Sequence, residues 1–155
     1  MHKNLKFNTH YNQFYIADEK SPKRTDEDEF WSNEAYDDRL AISEGIIGVG
    51  TECYGPVTGE LNILTKEDDK ASFDNYDHVV EGPISLTSGQ LEILSSPDSK
   101  VILKIKLIPG NYRVRIYSAN LKSVEGDEGD DYYKIDIWPG GNQERVVLKR
   151  YLASH

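Results

Sequence analysis

Five carboxylates, those of Glu125, Asp127, Glu128, Asp130 and Asp131, crowd the short stretch EGDEGDD. Side-chain oxygens at that density suit two kinds of chemistry. They can ligate a hard cation, since calcium takes about six to eight oxygens, or they can present a negative face to a basic partner. An EF-hand loop needs Asp or Asn at its first, third and fifth positions and glycine at the sixth. Counting from Glu125 puts Gly129 at the fifth position, and counting from Asp127 puts it at the third. Neither register fits, and a strand pattern follows where a helix is required. A calcium site of another type stays open, as does a solvated connection in which Gly126 and Gly129 let the chain turn. A second acidic run, Asp26, Glu27, Asp28 and Glu29, lies far upstream. If the fold brings the two together, they form one negative patch, and these nine acids are the candidate partner-binding residues.

Other reactive groups are sparse. Cys53 is the only cysteine, so no internal disulfide is possible. A catalytic cysteine needs a histidine in space, and only His10 and His78 lie within the patterned region. Cys53 shares a strand face with Ile47 and Val49, which points to the core. His2 and His155, near the chain ends, are expected to be mobile. One cysteine and four scattered histidines give no zinc spacing. Gly48-Val49-Gly50 echoes a dinucleotide loop, but Cys53 stands where the third glycine belongs. These glycines are read instead as a bulge or a close backbone approach. No nucleophile elbow and no phosphate loop is present, and nothing in the sequence calls for a cofactor. A glycosidase pair would need a buried acid flanking a cleft, whereas most acids here fall on loops. Trp31, Tyr117, Tyr132 and Trp138 could stack on sugars if exposed. The expectation is a protein that is not an enzyme, with a calcium- or carbohydrate-binding sandwich as the alternative.

Composition narrows the partner. The 155 residues carry a formal net charge of −9, which disfavours nucleic acid and anionic membrane surfaces as partners and favours a basic protein. No segment approaches the roughly 20 apolar residues of a membrane span, and residues 1 to 14 lack the apolar stretch of a signal peptide. We expect a cytoplasmic chain forming a single β-sandwich domain over residues 1 to 155; the sequence does not fix its oligomeric state.

The elements that must position these groups are mostly strands. HYNQFYIAD (10 to 18) is aromatic and β-branched, and residues 19 to 29 read as a loop. FWSNEAYDDRLAIS (30 to 43) reads as one helix, with Ser32 as N-cap, Glu34 complementing the dipole, and Gly45 stopping it. Beyond it, period-two alternation marks strands with one buried and one wet face. It is clearest at Val101, Leu103, Ile105 and Leu107, at Tyr112, Val114 and Ile116, and at Tyr133, Ile135 and Ile137. Arg113, Arg115, Lys134 and Asp136 occupy the opposite, wet side. IPGN, around Pro109 and Gly110, reads as a tight hairpin joining two of these strands. About eight or nine strands with one helix predict an all-β fold, an antiparallel β-sandwich.

Four stretches in order, HYNQFYIAD, FWSNEAYDDRLAISEGIIGVGTE, LIPGNYRVRIYS and DYYKIDIW, resemble the competence protein J family. Together they span most of residues 10 to 138. That resemblance implies a small non-enzymatic protein that binds and inhibits a partner, a DNA-entry nuclease in the known member, so a nuclease or a toxin is the partner class to expect. The acidic loops at 19 to 29 and 121 to 131 are longer here than the family pattern.

Overall fold

The computed structural model describes residues 1 to 27 and 29 to 152; Asp28 and residues 153 to 155, His155 among them, lie outside the described residues. Eleven strands and one short helix follow in the order β1 (His2–Asn8), β2 (Gln13–Asp18), α1 (Asn33–Asp38), β3 (Leu40–Ser43), β4 (Ile46–Gly50), β5 (Pro56–Ile63), β6 (His78–Leu86), β7 (Gln90–Ser95), β8 (Val101–Lys106), β9 (Gly110–Ala119), β10 (Tyr132–Pro139) and β11 (Val146–Lys149). They form a six-stranded sheet, β1-β5-β10-β9-β6-β11, and a five-stranded sheet, β3-β4-β2-β7-β8. The fold is all-β, as the alternation implied. Among the described residues, the one parallel pairing joins β5 to β10.

The inner faces meet in a core to which the six-stranded sheet gives Leu61, Val80, Val114, Ile116, Tyr133, Ile135 and Ile137. The other sheet gives Phe14, Ile16, Leu40, Ile47, Val49, Leu91 and Ile93. Each such side chain contributes about 1.5–3 kcal/mol when fully buried. β6 runs straight through Gly82-Pro83, where Pro83 stands opposite Arg113 of β9 and beyond the last β6–β11 pair at Glu81.

Three expectations change. The helix is far shorter than residues 30 to 43. Ser32 caps it as read, its Oγ accepting from Ala35 N at 3.1 Å, but Arg39 takes a left-handed conformation (φ 62°) and ends it. Leu40–Ser43 then pairs with β4 across a turn at Glu44-Gly45, so Gly45 (φ +67°) turns a hairpin and does not stop a helix. Leu-Ala-Ile buries better as a strand against Ile47 and Val49 than as a fourth helical turn. Second, IPGN is not a hairpin: β8 belongs to the five-stranded sheet and β9 to the six-stranded one, so the segment crosses between sheets. Third, the wet sides of β9 and β10 are covered. Arg113, Arg115 and Asp136 are buried, beneath residues 64 to 77 and 140 to 145. His2 is also anchored, in β1, with Nδ1 2.7 Å from Asn62 Oδ1.

The outer face of the five-stranded sheet is covered by apolar packing. Phe30, Trp31 and Ala35 lie over Tyr15, Ala17, Ala41, Ile46 and Leu94. Gly48 makes this possible, since a Cβ there would stand 2.8 Å from Trp31 Cζ2 and 2.9 Å from Phe30 Cε2. The close approach read from the glycine pair is real at Gly48.

Candidate functional site

The downstream acidic loop is built by its own backbone. Asn120 in the left-handed region (φ 59°) leads into a 3-10 turn, Leu121–Ser123. Glu125 and Glu128 then exchange backbone hydrogen bonds, Glu125 N to Glu128 O at 2.8 Å and the reverse at 3.2 Å. This closes a tight turn over Gly126 (φ 61°) and Asp127. Ser123 Oγ accepts from Asp130 N at 2.8 Å, tying the two ends of the loop. The carboxylates of Glu125, Asp127, Glu128 and Asp130 are exposed, and no ion pair among the described residues engages them.

Asp131 differs from its neighbours. It is buried, and its Oδ2 accepts from Cys53 N at 3.2 Å and from Tyr133 Oη at 2.6 Å. Burial, then the adjacent Asp131 carboxylate, pushes the Tyr133 phenol far above its ordinary pKa. The Tyr133 oxygen in turn accepts from Glu52 N at 2.7 Å. Asp131 is thus an internal strut and offers no charge to the surface. Cys53 is buried beside it, with Sγ donating to Asp127 O at 2.9 Å.

Upstream, Asp26, Glu27 and Glu29 are exposed on the segment that covers the five-stranded sheet. Glu27 lies 3.5 Å from Arg24, a loose pair on two exposed side chains. Buried Phe30, whose N donates to Glu27 O at 3.0 Å, anchors the run. No hydrogen bond or ion pair joins this run to residues 125 to 131 among the described residues.

Apart from these two runs, an open cleft of about 1130 Å³ is walled by α1, the Tyr11-Asn12 turn, residues 50 to 52 and residues 150 to 152. Trp31 lines the cleft two residues after Glu29, and Glu52 lines it one residue before Cys53, which is bonded to Asp127. Tyr11 and Asn12 have φ of 63° and 58°, and the turn is pinned by Asn12 Nδ2 donating to Glu52 O at 3.0 Å and Thr51 N donating to Asn12 O at 2.8 Å. Arg39 Nη2 stands 2.7 Å from Glu52 Oε2, with its guanidinium 5.4 Å from the Tyr151 ring centre. Arg150 Nη2 reaches Asp38 Oδ1 at 2.6 Å. Burial alone would raise the Asp38 carboxyl, but hydrogen bonds and charge from Arg150 and Arg145 outweigh it and hold it below its usual value.

His78 fastens the floor of the cleft. Its Nδ1 accepts from Tyr151 N at 3.0 Å, so Nε2 carries the proton and donates to Asp38 O at 2.8 Å. Burial pushes its pKa down, with the Asp38 carbonyl bond opposing. Both ring nitrogens are thereby committed, and neither faces Cys53.

Apart from Trp31, weighed as a sugar-stacking ring, none of the residues lining the cleft is singled out as a site by sequence. The only local signal is Tyr-Asn at a turn demanding positive φ, where Asn-Gly is ordinary.

The alternatives fare as follows. Among the described residues, no three His, Cys, Asp or Glu side chains converge as metal ligands. Of the four candidate sugar-stacking rings, Tyr117 and Trp138 are buried. Tyr132 donates to Glu60 at 2.7 Å, and burial together with that carboxylate pushes its phenol up to about 12. Trp31 is half-buried against Phe30.

No protein-family model matches the chain, and no curated protein matches it. Solved structures do. A crystal structure of ComJ, inhibitor of the DNA degrading activity of NucA, from Bacillus subtilis, superposes with a TM-score of 0.65 at 18% identity, over 90% of this chain and 99% of that one. The fold is ComJ-like. A second structure, described as crocagin biosynthetic gene J, gives a TM-score of 0.58 at 16% identity, covering 90% of this chain and 97% of that one. At such identities the likeness to ComJ extends to the fold, in agreement with the resemblance carried by the four sequence stretches. Among the described residues, no helix is long and apolar enough to cross a membrane.

Proposed function

We propose that this chain is a non-enzymatic cytoplasmic inhibitor that binds a basic protein, a nuclease or a toxin, through an acidic surface. The observation that carries the reading is the ComJ-like fold over 90% of the chain, the neighbour being a nuclease inhibitor. The net charge of −9 supports it, as do the exposed carboxylates of Glu125, Asp127, Glu128 and Asp130 and those of Asp26, Glu27 and Glu29. Asp28 belongs to the same run, while Asp131 supports the loop from within. Enzymes that grip DNA neutralise phosphates with lysine and arginine, so a carboxylate-rich protein can occupy the same basic groove. Complementary fields of this kind speed encounter and select partners.

The test is to mix the protein with nucleases encoded beside it and to follow DNA degradation and complex formation over a salt series. Inhibition that is strong at low salt and weakens as salt rises is expected. Failure to bind any of these nucleases at low salt would overturn the reading.

A further inference from the structure

The cleft beside α1 combines three properties. First, it carries exposed rings: Tyr36 is 75% exposed and Tyr11 60%, and with Leu152 at 77% they are three of the seven large hydrophobic side chains left exposed among the described residues. Second, it is pre-formed at a conformational cost. Tyr11, Asn12 and Arg39 are three of the six non-glycine residues with positive φ among the described residues, and backbone of this kind persists only where the surroundings hold it, as they do at many binding sites. Third, its charges are unevenly satisfied. Arg39 is matched by Glu52, and Arg150 by Asp38. Asp37 has no ion pair among the described residues. Glu34, whose side chain is 88% exposed, has only Arg145 at 3.9 Å. After internal pairing, the cleft therefore keeps uncompensated carboxylates beside exposed aromatic faces.

The cleft also shows what that combination holds. The Arg39 guanidinium lies against a tyrosine ring and donates through Nη2 to the Glu52 carboxylate, which also lines the cleft. Planar guanidinium stacks on aromatic faces and pairs with carboxylates in a way ammonium does not. We infer that this cleft is the seat for an arginine side chain presented by the basic partner, with Tyr11 and Tyr36 flanking the guanidinium and Glu34 and Asp37 pairing with it. The inference rests on the proposed binding to a basic protein and adds where on the chain the anchor lies. Tyrosine, tryptophan and arginine are the residue types that dominate interface energetics. The loop carboxylates at Glu125, Glu128 and Asp130 line a smaller recess that contains no aromatic ring and would act at the rim, on encounter rate and salt dependence.

The test uses the full chain, labelled with nitrogen-15, titrated with hexa-arginine, hexa-lysine and hexa-glutamate peptides. The arginine peptide should shift the amide signals of Tyr11, Asn12, Tyr36 and Asp37, bind more tightly than the lysine peptide, and leave the hexa-glutamate titration flat. Glu34→Gln with Asp37→Asn, both exposed and with only the loose Glu34–Arg145 pair to lose, should weaken hexa-arginine about tenfold, the loss of a charge-assisted hydrogen bond. Neutralising Glu125, Asp127, Glu128 and Asp130 together should weaken it only slightly, by the loss of long-range field. The assignment is overturned if the shifts cluster on residues 125 to 130, if arginine and lysine peptides bind alike, or if the Glu34/Asp37 variant binds as the parent does. Loss of the cleft result with nuclease inhibition intact removes the anchor and leaves the inhibitor. Cleft binding without any nuclease bound removes the inhibitor alone.

Discussion

The two sheets solve the same problem in opposite ways. Each has an outer face that must be closed. The five-stranded sheet closes its face with carbon: Phe30 and Trp31 lie on Gly48 and Tyr15, and shape decides the fit. The six-stranded sheet closes its face with charge. Glu81 receives Arg113 Nη2 at 3.0 Å and Arg115 Nε at 2.8 Å. Arg113 also donates to the carbonyls of Asn142 and Glu144 at 2.9 and 2.7 Å, and Arg115 to Glu67 at 3.1 Å. The difference teaches that apolar cover is cheap to form but intolerant of added volume. Ionic cover fastens two loops at defined points but depends on every partner being present.

The sharpest way to break the comparison is at Glu81. Glu81→Ala leaves buried Arg113 without its carboxylate and Arg115 with Glu67 alone, and should cost about 3–5 kcal/mol, read as a fall in urea midpoint, with residues 64 to 77 and 140 to 145 gaining amide exchange. If stability holds, the charged face is ornamental. Next is Gly48→Ala, which forces Phe30 and Trp31 aside and should cost about 1–3 kcal/mol by overpacking. The same exchange experiment should show protection lost over residues 26 to 38 and kept over 64 to 77. Loss in both places would mean the two covers are not independent. Ser32→Ala removes the helix cap and should cost about 1 kcal/mol.

A pH series separates the faces further. His78 has a depressed pKa in the folded state, so the unfolded chain binds its proton first. Its contribution is intact above the unfolded value of about 6.5 and is lost as pH falls from there towards the folded value. Denaturation midpoints should therefore drop below pH 6.5, and the drop should flatten in His78→Asn, whose stability is lower at neutral pH. An equally steep fall in that variant would place the titration elsewhere. The smallest effect is expected from neutralising Glu125, Asp127, Glu128 and Asp130, since no ion pair is lost: stability should stay within about 0.5 kcal/mol.

How much of this could be read beforehand depends on the range of the signal. Tyr133, Ile135 and Ile137 announce a buried face through period two alone, and Ser32 announces a helix start through one hydroxyl. Arg39 is a different matter: nothing local says that it will adopt positive φ and release Leu40 to a strand, because β4 supplies the reason. Alternation on either side of Pro109 is the same whether the strands pair or part to different sheets. Arg113 and Arg115 look solvated until Glu81 and two distant loops are placed over them. The cleft is assembled from Tyr11, Tyr36, Glu52 and Tyr151, so no window of sequence contains it, whereas the acidic loops, each contiguous, were visible at once.

The chain of bonds from Glu52 N through Tyr133 Oη to Asp131 and back to Cys53 N has a consequence for anyone transplanting this protein's acidic loop. The portable unit is not residues 125 to 130. It is the loop together with Asp131, Tyr133 and the Glu52-Cys53 step, a cassette drawn from two remote stretches of chain. A graft of the exposed acids alone would carry their charge and leave behind the scaffold that sets its direction.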